Sequence, residues 1–237
     1  MKCVVDKKFE WEGRITPKVG AVMRMFGVDV NRLAEASPRH NCSVELCAGQ
    51  IAYITGPSGS GKSVLLRELM AAAHNDCIDL DSIDLCNDCA VIDCIDGNFI
   101  DALRTLSIAG LSDVFAVLNT PANLSEGQKY RFRLAKALAL TGGMAGGEAW
   151  PCSSSNQQQA PGSEQLRIIF ADEFCSNLDR ITAAVIAYQI RKFATRCNVA
   201  FVLASSHEDI LADLRPDVLI VKQLNEKTEV IYKAVGH

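Results

Sequence analysis

Three short runs of this chain are apolar almost without interruption: Ile51 to Thr55, Leu166 to Glu173, which ends in two carboxylates, and Val199 to Ala204. Runs of this length without polar alternation read as strands covered on both faces, as in the middle of a parallel sheet. Between them, apolar residues recur at helical spacing. A helix is expected over residues 64–73, another from Phe99 to Ala109 with Ile100, Leu103 and Leu106 on one stripe, and a shorter one from Leu111 to Leu118. A longer helix should run to about Leu140 with Phe132, Leu134, Ala135, Leu138 and Ala139 inward, and another from about Arg180 to Thr195. Strands separated by helices indicate an α/β fold with a mostly parallel central sheet. Val218 to Val221 and Glu229 to Tyr232 are expected to close it as a hairpin.

The flanks are less regular. Phe9 to Glu12 and Arg14 to Thr16 alternate weakly, as short antiparallel strands would, and Cys42 to Leu46 reads as another strand. Val19 to Leu33 is expected to mix strand and helix. Cys77 to Leu80 and Ala90 to Asp93 are further strand candidates. Thr141 to Gln165, with its paired glycines, Ser153-Ser154-Ser155 and Gln157-Gln158-Gln159, is of low complexity and reads as a flexible loop. The expected organisation is a single domain over 1–237, with an N-terminal β portion over about 1–50, a compact helical subdomain over 95–140 and the loop over 141–165.

Composition narrows the class. A chain of 237 residues, 49% hydrophobic, buries a core without help from disulfides. The net charge of −4 argues against an overall basic footprint for nucleic acid. No run approaches the ~20 apolar residues of a membrane helix, and Met1 to Lys8 does not resemble a signal peptide, so a cytoplasmic location is expected. The ten cysteines are then expected to stay reduced. Cys86, Cys89 and Cys94, with His74 and Cys77 upstream, invite a zinc reading, but a second well-spaced pair is missing, and small half-buried hydrophobes are the preferred reading.

The chemistry centres on Gly56-Pro57-Ser58-Gly59-Ser60-Gly61-Lys62-Ser63, a G-x-x-x-x-G-K-S loop between a strand and a helix that begins near Val64. Such a loop turns its backbone N–H groups inward around phosphates, aided by the positive end of the helix that follows. Lys62 is suited to the β- and γ-phosphates and Ser63 to Mg²⁺. Asp172 and Glu173 end a buried strand; Asp172 can hold Mg²⁺, and Glu173 can polarise an attacking water. His207 follows the next buried strand and is suited to sensing phosphate. Ser125 and Gln128 fit a capping box opening the long helix, on which Lys129, Arg131, Arg133 and Lys136 are expected mainly outward. Phe26 is a candidate for stacking on adenine, against the plainer reading of a core residue.

Five of these segments, in this order, resemble the ATP-binding cassette (ABC) ATPases over roughly residues 45–222. They are the phosphate loop, the signature Leu124-Ser125-Glu126-Gly127-Gln128, the strand to Asp172 with Glu173, the D-loop Ser176 to Asp179, and the switch position His207. The resemblance implies a P-loop NTPase that binds ATP and Mg²⁺ between two head-to-tail copies. Ser125 and Gly127 would then touch the γ-phosphate held by the partner's phosphate loop. Two departures stand out: Glu126 replaces a glycine of the signature, and no glutamine between residues 64 and 123 matches the Q-loop, whose region Asp93 or a neighbour would occupy. The wording of Leu124 to Leu138 and Ala171 to Arg180 is similar to soluble ABC-type ATPases often fused to a predicted GNAT-type acetyltransferase, which implies an acetyltransferase partner in trans. A transporter subunit, an ATP-gated switch that touches nucleic acid or a modifying enzyme, and a small-molecule kinase are the alternatives. The compact segment before Leu124 and the missing glutamine speak against the transporter.

Overall fold

The computed structural model describes residues 2–8, 13–35, 39–73, 77–142, 166–224 and 227–233. Six strands form the main sheet: β3 (Ile51–Thr55), β4 (Cys77–Asp79), β5 (Ile168–Ala171), β6 (Ala200–Ala204), β7 (Val218–Val221) and β8 (Glu229–Tyr232). Their order is β4-β5-β6-β3-β7-β8. The first five lie parallel, and only β8 runs against its neighbour. The three apolar runs of the sequence are therefore adjacent strands at the centre, and every residue of β3, β5 and β6 is buried.

The pleat divides their side chains between two cores. Ile51, Tyr53, Ile169, Ala171, Phe201 and Leu203 face one side. They pack with α4 (Phe99–Ile108), α6 (Glu126–Leu140) and α7 (Arg180–Cys197), whose buried stripes include Leu106, Phe132, Leu138, Ile186 and Phe193. Ala52, Ile54, Ile168, Phe170, Val202 and Ile220 face the other side, against Leu65, Leu66 and Leu69 of α3 (Lys62–Ala72). A two-stranded antiparallel ribbon, β1 (Lys2–Lys8) with β2 (Arg39–Glu45), completes that second layer through Cys3, Val5, Cys42 and Val44. Period-two alternation explains why runs that look uniformly apolar feed two separate cores.

The sequence misplaces some flanking elements. Arg14 to Thr16 is not a strand: Thr16 accepts a hydrogen bond from the Val19 N–H as the N-cap of α1 (Pro17–Phe26). Pro17 stands at the first helical position, where its missing N–H costs nothing. Val19 to Leu33 holds no strand either, being α1, a left-handed Gly27 cap and α2 (Val30–Glu35). The N-terminal β portion is thus a ribbon with two helices between its strands. Residues 9–12 lie outside the described residues, as do 143–165, which hold nearly all of the expected loop. The Ala90 to Asp93 candidate strand is a 3₁₀ turn over Val91–Cys94. Short apolar runs with little flanking context do not distinguish the two. Between residues 95 and 140 the chain forms α4, α5 (Val114–Leu118) and α6. Among the described residues no helix is long and apolar enough to cross a membrane.

Candidate functional site

The phosphate loop leaves the C-terminal end of β3, a central strand. Asp172 and Glu173 leave β5, and Ser205 to His207 leave β6, so three neighbouring parallel strands deliver their loops to one edge. Open parallel sheets present ligand sites at that edge. Strands stand about 4.8 Å apart, so Gly56 and Asp172, two strands apart, frame an opening of about 10 Å.

The loop's shape depends on its glycines. Gly56 has φ 145°, and a Cβ there would run into the Lys222 carbonyl oxygen. Lys222 follows β7, and its N–H donates to the Thr55 carbonyl at 2.8 Å. Gly61 has φ 92° and precedes the first turn of α3. Lys62 is 6% exposed; its Nζ donates to the carbonyls of Gly56 at 2.9 Å and Pro57 at 3.1 Å, which bends the side chain back along the loop. Ser60 is 3% exposed, and its buried Oγ has no hydrogen-bond partner. An orphaned hydroxyl inside a glycine-rich loop, beside an ammonium group, fits an anionic oxygen ligand. Pro57, Ser58 and Gly59 form the exposed rim, and Ser63 and Val64, half-buried, lie in the first turn of α3. The donor set fits Mg²⁺ too: hard oxygens from Ser63 and Asp172 are the ligands such an ion prefers.

Backbone strain concentrates after β5. Glu173 has φ 45° and Cys175 φ 59°, both left-handed and uncommon for side chains of this kind. The turn is held by the Phe174 N–H on the Ala204 carbonyl at 2.8 Å and by the Glu173 N–H on Asp172 Oδ1 at 3.0 Å. The Cys175 N–H donates to the Tyr130 hydroxyl at 3.1 Å, so α6 supports the D-loop from below. Burial is the main reason the Cys175 thiol is pushed up to about 12. His207 is exposed; its N–H donates to Ser205 Oγ at 3.3 Å, and its carbonyl accepts from the hydroxyl of fully buried Tyr53. Thr55 Oγ1 donates to Glu208 Oε1 at 3.3 Å, tying the base of the phosphate loop to the same segment.

The sequence-predicted residues fall into two groups. Gly56 to Val64, Asp172, Glu173 and His207 share the carboxyl edge of the sheet. Ser125, Gly127 and Gln128 belong to the start of α6. Ser125 Oγ accepts from the Gln128 N–H at 3.3 Å, and Gln128 Oε1 accepts from the Ser125 N–H at 2.9 Å, completing the expected capping box. A Cβ on Gly127 would lie 3.4 Å from Leu178 and 3.6 Å from the Asn177 carbonyl, so the signature packs on its own D-loop. Glu126 is paired with Lys129 at 2.9 Å, which directs its carboxylate along the helix and lowers its pKa.

Two expectations need correction. The basic stripe of α6 is largely engaged by its own chain. Arg131 donates to the carbonyls of Gly127 and Gly110, Lys136 donates to the Asp84 carbonyl at 2.7 Å, and Arg133 is half-buried. Alternating cations with apolar residues on a helix signals surface, but long stems reach back to backbone carbonyls of the same chain. Phe26 is 68% exposed on α1, so it is not the core residue of the plainer reading.

Sequence reasoning gave no site role to four residues. Tyr53 and Tyr130 were legible only as apolar members of a strand and a helix, although a buried tyrosine hydroxyl normally finds a partner. Lys222 is 2% exposed against the phosphate loop, and burial lowers its pKa. Asp81 is the fourth. The β4–β5 ladder pairs Asp79 with Phe170, and the Leu80 N–H donates to the Phe170 carbonyl at 2.9 Å. Two residues beyond that pair stand Asp81 and Asp172. Desolvation by neighbouring groups first, then the charges of Asp79 and Asp172, raise the pKa of Asp81, which stays exposed.

No protein-family model and no curated protein matches the chain. Solved structures do. The dimeric structure of MJ0796, a bacterial ABC transporter cassette, is similar over 98% of both chains with a TM-score of 0.61 and 16% identity. The same cassette in a dimeric post-hydrolysis state, bound to ADP and Pi, gives a TM-score of 0.60 and 17% identity over 98% of both chains. The inward-facing conformation of an ABC transporter assigned to the metal-chelate type is similar over 83% of this chain and 77% of its own, with a TM-score of 0.55 and 15% identity. Identities this low speak for architecture: the chain has the fold of an ATP-binding cassette.

Proposed function

We propose that the protein is an ABC-type ATPase that binds Mg-ATP between two head-to-tail copies and hydrolyses it to ADP and phosphate. The observation that carries this reading is the juxtaposition of the phosphate loop with Asp172, Glu173 and His207 at the ends of three adjacent strands. Lys62 and the loop N–H groups bind and orient the phosphates, with Lys62 exchanging its present carbonyl partners for phosphate oxygens. Ser63 and Asp172 would hold Mg²⁺, which when bound neutralises phosphate charge. Glu173 accepts a proton as the water oxygen attacks the γ-phosphorus; the bond from that phosphorus to the bridging oxygen breaks, and its electrons leave with ADP. His207 donates to the γ-phosphate oxygens. Preorganised charge and positioning supply most of the acceleration.

The names of the similar structures support the dimer. In that arrangement Ser125 and Gly127 present the start of α6 to the γ-phosphate held by the other copy, and Gln128 keeps that end capped. The free N–H groups of a helix start suit an anion. A cytoplasmic location, as the sequence suggests, would keep the chain's ten cysteines reduced. An acetyltransferase acting in trans is the partner that the motif wording favours, and co-purification would test it. The internal contacts of the α6 cations weaken the case for nucleic acid.

The test is steady-state phosphate release by the wild-type chain and by Glu173→Gln and Lys62→Ala, with and without DNA or RNA. Turnover that disappears in both variants supports the reading, and full activity in Lys62→Ala would sink it. A second reading, the ATP-binding subunit of a transporter, draws on the similar structures' own names; stable co-purification with a membrane permease would establish it.

A further inference from the structure

Three thiols converge on the segment that joins β4 to α4, well away from the phosphate loop in sequence. Cys89 Sγ lies 2.9 Å from Cys94 Sγ and 3.9 Å from Cys86 Sγ. Cys86 is exposed, whereas Cys89 and Cys94 are half-buried. Cys94 ends the 3₁₀ turn over Val91–Cys94 and donates its S–H to the Ala90 carbonyl at 3.3 Å, which leaves its sulfur to accept from Cys89. Among the described residues no group of three or more His, Cys, Asp or Glu side chains is arranged to hold a metal ion. His74, the upstream member of the zinc reading, lies outside the described residues, and the three thiols are close enough for exchange among themselves.

We propose that Cys89 and Cys94 form a reversible disulfide and that Cys86 is the entry thiol that relays oxidation to them. The oxidant class is a small organic disulfide such as glutathione disulfide. The Cys86 thiolate attacks it, forming a mixed disulfide and releasing one glutathione thiolate. Cys89 then attacks the Cys86 sulfur, loses its proton and expels the second glutathione. Finally Cys94 attacks the Cys89 sulfur, loses its proton and returns Cys86 as a thiol. The sum is one protein disulfide formed, one organic disulfide reduced to two thiols, and Cys86 regenerated.

The order of attack follows from access and proton affinity. Exchange begins at an exposed thiol able to ionise. The hydrogen bond to Cys94, followed by partial burial, pushes Cys89 up to about 12, so Cys89 is a poor first nucleophile. It becomes an effective second one only because Cys86 Sγ is already beside it. The closed disulfide would staple a segment anchored at both ends. Upstream it leaves β4 beside Asp172, and downstream the Val91 N–H donates to the Asn119 carbonyl at 2.9 Å, five residues before Leu124 of the signature.

The experiment treats the reduced full chain with glutathione disulfide, quenches with N-ethylmaleimide and maps peptides without reduction. The expected product is a Cys89–Cys94 linkage that dithiothreitol reverses. It should form about as fast as glutathione adds to exposed Cys47, because the first step is the same bimolecular attack and each later step is intramolecular. In Cys86→Ser the same linkage should form several-fold more slowly. In Cys94→Ser oxidation should stop at Cys86–Cys89. Alkylated Cys89 and Cys94 in a wild-type chain already glutathionylated at Cys47 would overturn the disulfide, and an unchanged rate in Cys86→Ser would overturn the relay.

Discussion

The hydroxyl of Tyr53 donates to the carbonyl oxygen of His207 at 2.5 Å, from a side chain that is fully buried beneath the site. Tyr53 stands three residues before Gly56 on the strand that launches the phosphate loop, so one side chain positions the backbone of the proposed phosphate-sensing histidine relative to that loop. Tyr53→Phe keeps the packing and removes the bond. The expected cost is about 1 kcal/mol of stability. Phosphate release should fall several-fold in kcat while KM for ATP changes little, because the loop itself is untouched. Unaltered kcat would show that the His207 backbone is positioned by Ser205 alone.

Gly56 is where the loop tolerates no side chain. A Cβ there would collide with the Lys222 carbonyl, and the two backbones are already locked by the bond from the Lys222 N–H to the Thr55 carbonyl. Gly56→Ala should therefore displace β7 or the loop, cost roughly 2–4 kcal/mol and abolish nucleotide binding. Gly59 has open space around a Cβ but a φ of 79°, so Gly59→Ala should cost about 1 kcal/mol and retain binding. Thermal denaturation with and without ATP separates the two.

Asp81 and Asp172 follow the ends of paired strands and repel each other, which raises the Asp81 pKa after desolvation by neighbouring groups has done so. Neutralising Asp81 should act with opposite signs on stability and function. Asp81→Asn should raise the melting temperature without nucleotide, because a like-charge contact is removed. It should weaken the Mg²⁺-dependent part of ATP binding, because a carboxylate beside Asp172 is lost. Binding of Mn²⁺ in the presence of a non-hydrolysable ATP analogue, read by titration, checks the second half. Equal metal affinity in both proteins would confine Asp81 to a structural role.

Burial pushes the thiols of Cys42 and Cys175 up to about 11 and 12, against an ordinary value of 9.0. A folded state that holds its protons more tightly than the unfolded chain loses stability as pH rises. Their contribution is complete below pH 9.0 and declines between 9.0 and about 11 for Cys42, and about 12 for Cys175. The urea midpoint should fall over that window. The double variant Cys42→Ala, Cys175→Ala should start lower and show a shallower fall.

Much of the arrangement was legible before any coordinates. Ile51 to Thr55, Leu166 to Glu173 and Val199 to Ala204 announce buried parallel strands because a strand covered on both faces has no polar alternation to show. The capping box at Ser125 and Gln128 was equally legible, since its hydrogen bonds span three residues. The misreadings fall where the signal is short. Arg14 to Thr16 alternates weakly and Ala90 to Asp93 is a short apolar run, each over three or four residues, too few to distinguish a strand from a cap or a 3₁₀ turn.

By itself the sequence determined the local chemistry: the glycine-rich loop with Lys62 and Ser63, the carboxylates Asp172 and Glu173, and the caps and stripes of the helices. All of these depend on neighbours a few positions apart along one chain. Only the tertiary structure decided that Asp81 stands beside Asp172, that Tyr53 holds His207, that Tyr130 supports Cys175, and that Gly56 leaves no room beside Lys222. It also turned the cations of α6 back onto the chain. Strand order, register and helix packing make these pairs, and partners separated by 21 to 166 positions leave no periodic trace from which a single sequence could reveal them.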